Sequence, residues 1–95
     1  MSQTVLITGA SRGIGRACAA AFARKGYGVA ACYHQNEAAA RSLLDELSAA
    51  GCDAALFRAD LSAEAQAVRT AAQALERFGH IDVVINNAGI AQQKL

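Results

Sequence analysis

The stretch Thr4-Val5-Leu6-Ile7-Thr8-Gly9-Ala10-Ser11-Arg12-Gly13-Ile14-Gly15 decides the fold. Residues 4–8 form a short apolar run, which predicts a strand. Residues 14–25 place Ile14, Ala17, Cys18, Ala21, Phe22 and Lys25 on one face at helical spacing, with Arg16 and Arg24 outside it. Between the two lies a glycine-rich turn. The first turn of a helix carries unpaired N–H groups and a partial positive charge, so it attracts an anion. Glycines let the backbone turn sharply and come close to a pyrophosphate. The spacing is G-x-x-x-G-x-G, and Gly15 is followed by Arg16 rather than Lys-Ser/Thr, which excludes a phosphate-hydrolysing P-loop. Taken alone, Gly9 and Gly13 are also compatible with a plain strand-to-helix turn.

The 95 residues suffice for one small domain. With 54% apolar and 18% charged residues the chain is not of disordered composition. A net charge of +1 argues against binding to nucleic acid or to a membrane surface through bulk charge. No apolar run approaches the ~20 residues of a membrane span, and the N-terminus lacks the basic region of a signal peptide. A cytoplasmic protein is expected. Cys18, Cys32 and Cys52 are widely spaced, without a C-x-x-C pair, and read as reduced thiols, the first two within the core. Neither histidine stands at metal-ligand spacing from a cysteine, so no metal site is expected.

Strand and helix patterns alternate along the chain, which predicts a parallel sheet of βαβ units. A second strand is predicted at 29–33. A second helix starts near Asn36 as N-cap, buries Ala40, Leu43, Leu44 and Leu47, and ends at Gly51. A third strand covers 54–58. A third helix starts after Ser62 as N-cap, buries Val68, Ala71, Ala72, Leu75 and Phe78, and ends at Gly79. A fourth strand is predicted at 82–86. Right-handed crossovers put the strands in the order 3-2-1-4, with two helices on one face and the third on the other. The expected fold class is α/β: a partial Rossmann-type doubly wound parallel sheet in three layers, α/β/α. Its nucleotide crevice lies at the switch point between strands one and four, at their C-terminal ends.

Strand four would leave Val83-Val84-Ile85 at an open edge, a poor edge for a soluble domain, and one sheet face would have a single helix over it. Both faults vanish if further strands and helices follow. Residues 1–95 are therefore expected to be the N-terminal part of one dinucleotide-binding domain.

Two more motifs follow the first loop. Asp60-Leu61 lies just past strand three, and Asn86-Asn87-Ala88-Gly89 just past strand four. In this order and spacing, T-G-x-x-x-G-I-G, Asp-Leu and N-N-A-G resemble the short-chain dehydrogenase/reductase family, and the likeness extends over essentially the whole chain. Within the family it is similar to the single-domain bacterial ketoacyl reductases, which act on 3-oxoacyl groups carried by acyl carrier protein.

By position, the resemblance implies that Gly9, Ala10, Ser11, Arg12, Ile14 and Gly15 surround the phosphates and adenosine ribose of the cofactor. Asp60 and Leu61 would line the adenine pocket, the Asp60 carboxylate accepting from the adenine amino group. Asn87, Ala88 and Gly89 would run beside the ribose and hold the strand-four loop against the first loop. On the residues alone, the lesser alternatives are Asp60 as an ordinary approach to the third helix, Asn87 as a turn former and Arg12 as a plain surface residue.

The cofactor choice rests on charge. NAD-binding folds place an acid about 20 residues after the glycine loop, on the ribose 2′-OH. Here the end of strand two reads Tyr33-His34-Gln35-Asn36, with no acid before Glu37. Arg12 can supply a guanidinium to a 2′-phosphate, and His34, Gln35 and Asn36 can donate hydrogen bonds. NADP(H) is expected over NAD(H).

The family's reaction also needs a tyrosine acid, a lysine four residues later and a serine. The tyrosines are Tyr27 and Tyr33 and the lysines Lys25 and Lys94, so neither tyrosine has a lysine four residues on and no residue here is assigned as catalytic. The resemblance implies a small-molecule or carrier-bound carbonyl substrate and a homotetramer at full length. A 3-oxoacyl thioester is the first expectation. The tail 89–95 also resembles a reductase of a 5-aminopentanone group on translation elongation factor P, and other alcohol or sugar dehydrogenases remain open. Sugar-nucleotide epimerases are disfavoured, since their first loop usually reads G-x-x-G-x-x-G. A different class, a non-catalytic nucleotide-binding module, would need self-association to protect strand four.

Overall fold

A computed structural model describes residues 3–11 and 13–87. The strands β1 (Thr4–Thr8) and β2 (Gly28–Tyr33) are buried along their whole length. Such runs are apolar throughout because a parallel sheet is covered on both faces. β1 pairs in parallel with β2 and with β4 (Val83–Asn86), and β2 pairs with β3 (Ala54–Arg58). The strand order is β3-β2-β1-β4, as expected.

Alternate residues feed two cores. Val5, Ile7, Val29 and Ala31 face the side where Ala19 of α1 (Gly13–Arg24) and Leu43 and Leu47 of α2 (Glu37–Ala49) pack. Leu6, Ala30 and Cys32 face Ala74 of α3 (Glu64–Phe78). Burial pushes the Cys32 thiol up to about 12, so it serves as a small apolar residue rather than a nucleophile. Among the described residues no helix is long and apolar enough to cross a membrane.

Asn36 caps α2 as expected: it adopts φ 67° and its side chain accepts from the Ala39 N–H. Ala40, Leu43 and Leu47 are buried, whereas Leu44 is half-buried. Three expectations are corrected. The packed face of α1 runs through Gly15, Cys18, Ala19, Phe22 and Ala23, about one residue round from the predicted stripe, and Ile14 is 64% exposed. An alanine-rich helix offers no unique apolar stripe, and the close approach of Gly15 to the preceding loop sets its rotation. α3 turns Thr70 and Ala74 to the sheet, while Val68 and Leu75 are 63% and 48% exposed. Its small residues allow that approach, and the bulkier stripe faces away. Finally, Ser62 does not cap α3; the N-cap is Ala63, without a side-chain bond, because Ser62 is drawn to Asp60.

At the N-terminal ends of the strands, Asp82 fastens β4 to β1. Its Oδ2 accepts from the Thr4 N–H at 2.8 Å and lies 2.7 Å from His80 Nδ1. The Thr4 N–H, with help from His80, holds this carboxyl below its ordinary value of 3.8. A carboxyl with a depressed native pKa contributes stability above its unfolded value and loses it as pH falls through the native one. Asp82→Asn is therefore expected to flatten the acid limb: urea midpoints of wild type and variant converge as pH drops below about 4, and separate above it. Midpoints differing equally at every pH would contradict this.

Candidate functional site

The chain leaves β1 at Thr8 and turns through Gly9 (φ 61°) and Gly13 (φ 64°), both in the left-handed region that favours glycine. The side chains of Ala10 and Ser11 are buried, and the Ala10 N–H donates to the Cys32 carbonyl at 3.1 Å, pinning the loop to the end of β2. α1 begins at Gly13, so its first-turn N–H groups stand at the loop's exit. Gly15 presses against the loop from within the helix. A Cβ there would land on the Gly9 carbonyl oxygen and within 2.9 Å of Asn87 Nδ2. Asn87 itself, 7% exposed, donates from Nδ2 to that same Gly9 carbonyl at 3.1 Å.

The two loops meet because β1 and β4 are neighbours, with Thr8 opposite Asn86. Thr8 Oγ1 lies 3.1 Å from Asn86 Oδ1 and donates there. Gly9, Gly15 and Asn87 thus form one lock at the switch point of the sheet.

His34, Gln35 and Asn36 form the exposed turn between β2 and α2. The first acid beyond them, Glu37, pairs with Arg41 at 3.1 Å along the helix. Asp60 follows β3. Its Oδ1 accepts from the Ser62 hydroxyl at 2.6 Å and the Ser62 N–H at 3.1 Å, and no described donor reaches Oδ2. The Ser62 hydroxyl, then its N–H, and more weakly the charge of His34, hold the Asp60 carboxyl below 3.8. It is an anion at neutral pH with one oxygen available to a ligand N–H. Leu61 joins Leu6, Thr8, Cys32, Thr70 and Asn86 around a cavity of about 280 Å³ on the α3 side. Arg12, Ala88 and Gly89 lie outside the described residues.

Two features were not legible in the sequence. The Thr8–Asn86 pair needs the β1–β4 register. Arg16, legible only as a polar residue off the helix stripe, reaches Ser11, Ala39, Ser42 and Glu46. Its partners on α2 lie 23 to 30 residues away, a distance that no local pattern signals.

Taken together, the left-handed glycines, the helix start and the Gly9–Gly15 contact make a cradle that a Cβ would fill. Such a cradle suits a diphosphate backbone. Residues 3–95 match the family model for short chain dehydrogenases. The chain is 36% identical over all of its 95 residues to the 3-oxoacyl-[acyl-carrier-protein] reductase FabG of Staphylococcus aureus, of which it spans 39%. It superposes with a TM-score of 0.82 on NADH-dependent reductase A1-R′ complexed with NAD, at 42% identity, covering 90% of this chain and 35% of that one. Actinorhodin polyketide ketoreductase with NADPH gives a TM-score of 0.83 at 33% identity, covering 90% and 32%. The glycine loop, the strand order and the match from end to end lead to one conclusion: this chain belongs to the short-chain dehydrogenase family.

Proposed function

We infer that residues 1–95 are the cofactor-binding part of an NADP(H)-dependent carbonyl reductase, with a 3-oxoacyl thioester as the first candidate substrate. The observation that carries this reading is the Gly9–Gly15–Asn87 lock at the sheet's switch point, beside a β2–α2 turn without a carboxylate. The bound dinucleotide supplies the hydride. Residues of this chain would bind and orient it: the glycine loop and α1 would face its diphosphate, Asp60 would accept from the adenine amino group, and the His34–Asn36 turn would meet the ribose 2′ position. With Glu37 tied to Arg41, no acid repels a 2′-phosphate there. The proton donor that the family resemblance implies, a tyrosine with a lysine four residues on, is not among these 95 residues. The chain's 39% span of the staphylococcal reductase fits this division, and the 95 residues alone are expected to be inactive. The tetramer expected at full length belongs to the same proposal.

The test uses the protein purified from its full coding sequence. NADPH consumption with a 3-oxoacyl thioester supports the reading. Arg12→Ala is expected to raise the NADPH dissociation constant by about tenfold or more, through loss of a charged hydrogen bond, and to change that of NADH far less. Equal weakening of both overturns the NADP(H) assignment. The 42% identity to an NADH-dependent reductase favours the second reading, NAD(H), for which wild-type protein binds NADH more tightly than NADPH.

A further inference from the structure

Arg16 is the one described residue whose side chain hydrogen-bonds both the glycine loop and α2. Its Nη1 donates to the Ala39 carbonyl at 3.1 Å and lies 3.4 Å from the Ser11 carbonyl. Its Nη2 donates to Ser42 Oγ at 3.2 Å and to Glu46 Oε1 at 2.9 Å. Among the described residues, every side-chain hydrogen bond between α1 or the glycine loop and α2 is one of these. Both terminal nitrogens are taken up by protein acceptors, and the charge is met by Glu46. The guanidinium is thereby committed to the protein and is not arranged as a phosphate ligand.

The two segments that it joins belong to two different subsites of the proposed cofactor site. Ser11 lies in the loop that faces the diphosphate. Ala39 lies in the first turn of α2, where its N–H is held by the Asn36 side chain at 3.2 Å. Asn36 ends the turn that faces the ribose 2′ position. A planar fork with fixed donor directions sets the distance between its acceptors more tightly than an ammonium does. Resting on the cofactor reading above, we propose that Arg16 is a positioning residue: it holds the diphosphate loop and the 2′-ribose turn at the spacing that a dinucleotide spans, and so couples the two subsites. The Arg16–Glu46 pair is itself largely exposed, with Glu46 at 60%, and contributes little to global stability. Its effect falls on ligands that engage both segments.

The experiment compares wild type, Arg16→Met, Arg16→Lys and Glu46→Gln, each made in the full coding sequence. Dissociation constants are measured for NADPH, which spans both segments, and for 2′-AMP, which carries the adenine and the 2′-phosphate but no diphosphate. Arg16→Met is expected to raise the NADPH value about tenfold or more and the 2′-AMP value about twofold or less. Arg16→Lys falls between, and Glu46→Gln stays near wild type. In ligand-free protein, Arg16→Met is expected to speed amide exchange in residues 9–11 and 37–40 together, without change in β3. Equal loss for both ligands, or no change in either, overturns the proposal, as does unchanged exchange in either segment. If Arg16→Met does not fold, Arg16→Lys carries the same comparison. Wild-type protein that binds neither NADPH nor NADH overturns the cofactor reading itself and the coupling role with it, whereas intact wild-type binding with unaffected variants overturns the role of Arg16 alone.

Discussion

Gly15→Ala is expected to lose both dinucleotide binding and much of the domain's stability. The added methyl would coincide with the Gly9 carbonyl oxygen, and neither partner is a flexible side-chain end that can swing aside. Relief requires α1 to move off the loop or the loop to move off β1. Either shift also displaces Asn87, whose Nδ2 stands 2.9 Å from the new methyl. Overpacking of this kind costs about 1–3 kcal/mol, and more where backbone must move. In the larger domain of which these residues are read as a part, a loss of about 3 kcal/mol lowers Tm by roughly 6–12 °C. Displacement of the cradle is expected to weaken NADPH binding by about tenfold or more, through lost hydrogen bonds to the charged diphosphate. Gly26→Ala is the informative control. Its φ of 86° strains an alanine, but no atom lies within 4 Å of the new methyl, and it stands at the opposite ends of the strands. It should cost only about 1 kcal/mol of backbone strain and leave binding intact. Calorimetry and fluorescence titration of the two variants separate a steric cradle from a generic dislike of alanine at glycine.

Leu43→Ala carries the largest expected loss through the core. Leu43 is fully buried between α2 and the central strands, among Val5, Ile7, Val29 and Ala31. Removing three methyl-sized groups from so enclosed a site costs about 2–5 kcal/mol, the range being set by how far α2 can settle inward. The neighbouring Leu44 is half-buried, and its truncation should cost about 1 kcal/mol or less. Urea unfolding distinguishes them: the midpoint falls sharply for Leu43→Ala and little for Leu44→Ala, with the slope unchanged in both. Similar losses would show that α2 is not anchored as described. The effect reaches the site, since α2 carries the Asn36 cap and the Arg16 acceptors.

How far these features can be read from the sequence depends on how local their causes are. Strand positions and order are legible because β1 and β2 are apolar on both faces and the crossovers have one hand. The Asn36 cap is legible because its bond spans three residues. The rotations of α1 and α3 are not, because alanine surrounds both helices and the deciding contacts, Gly15 on Gly9 and Phe78 on Gly28, are tertiary. Ser62 looks like a cap by type, yet an acid two residues earlier competes for its hydroxyl and wins. At the candidate site, the glycine loop, Asp60 and Asn87 carry motif signatures. The partner that holds Gly9 is set by strand register, and those that anchor Arg16 on α2 by helix packing.

The bond from Asn87 to Gly9 also has a consequence for synthesis on the ribosome. It joins residues 78 apart, so the Gly9 carbonyl waits for Asn87 long after the phosphate loop has been synthesised. At about 5–20 residues per second, translation takes roughly 4–15 s to cover that interval. Over those seconds β1 can pair with β2, and β2 with β3, but the Gly9 carbonyl has no Asn87 to hold it and one edge of β1 is bare. The nascent chain is then open to wrong strand partners at its most apolar segment, and β4 closes that window as it arrives.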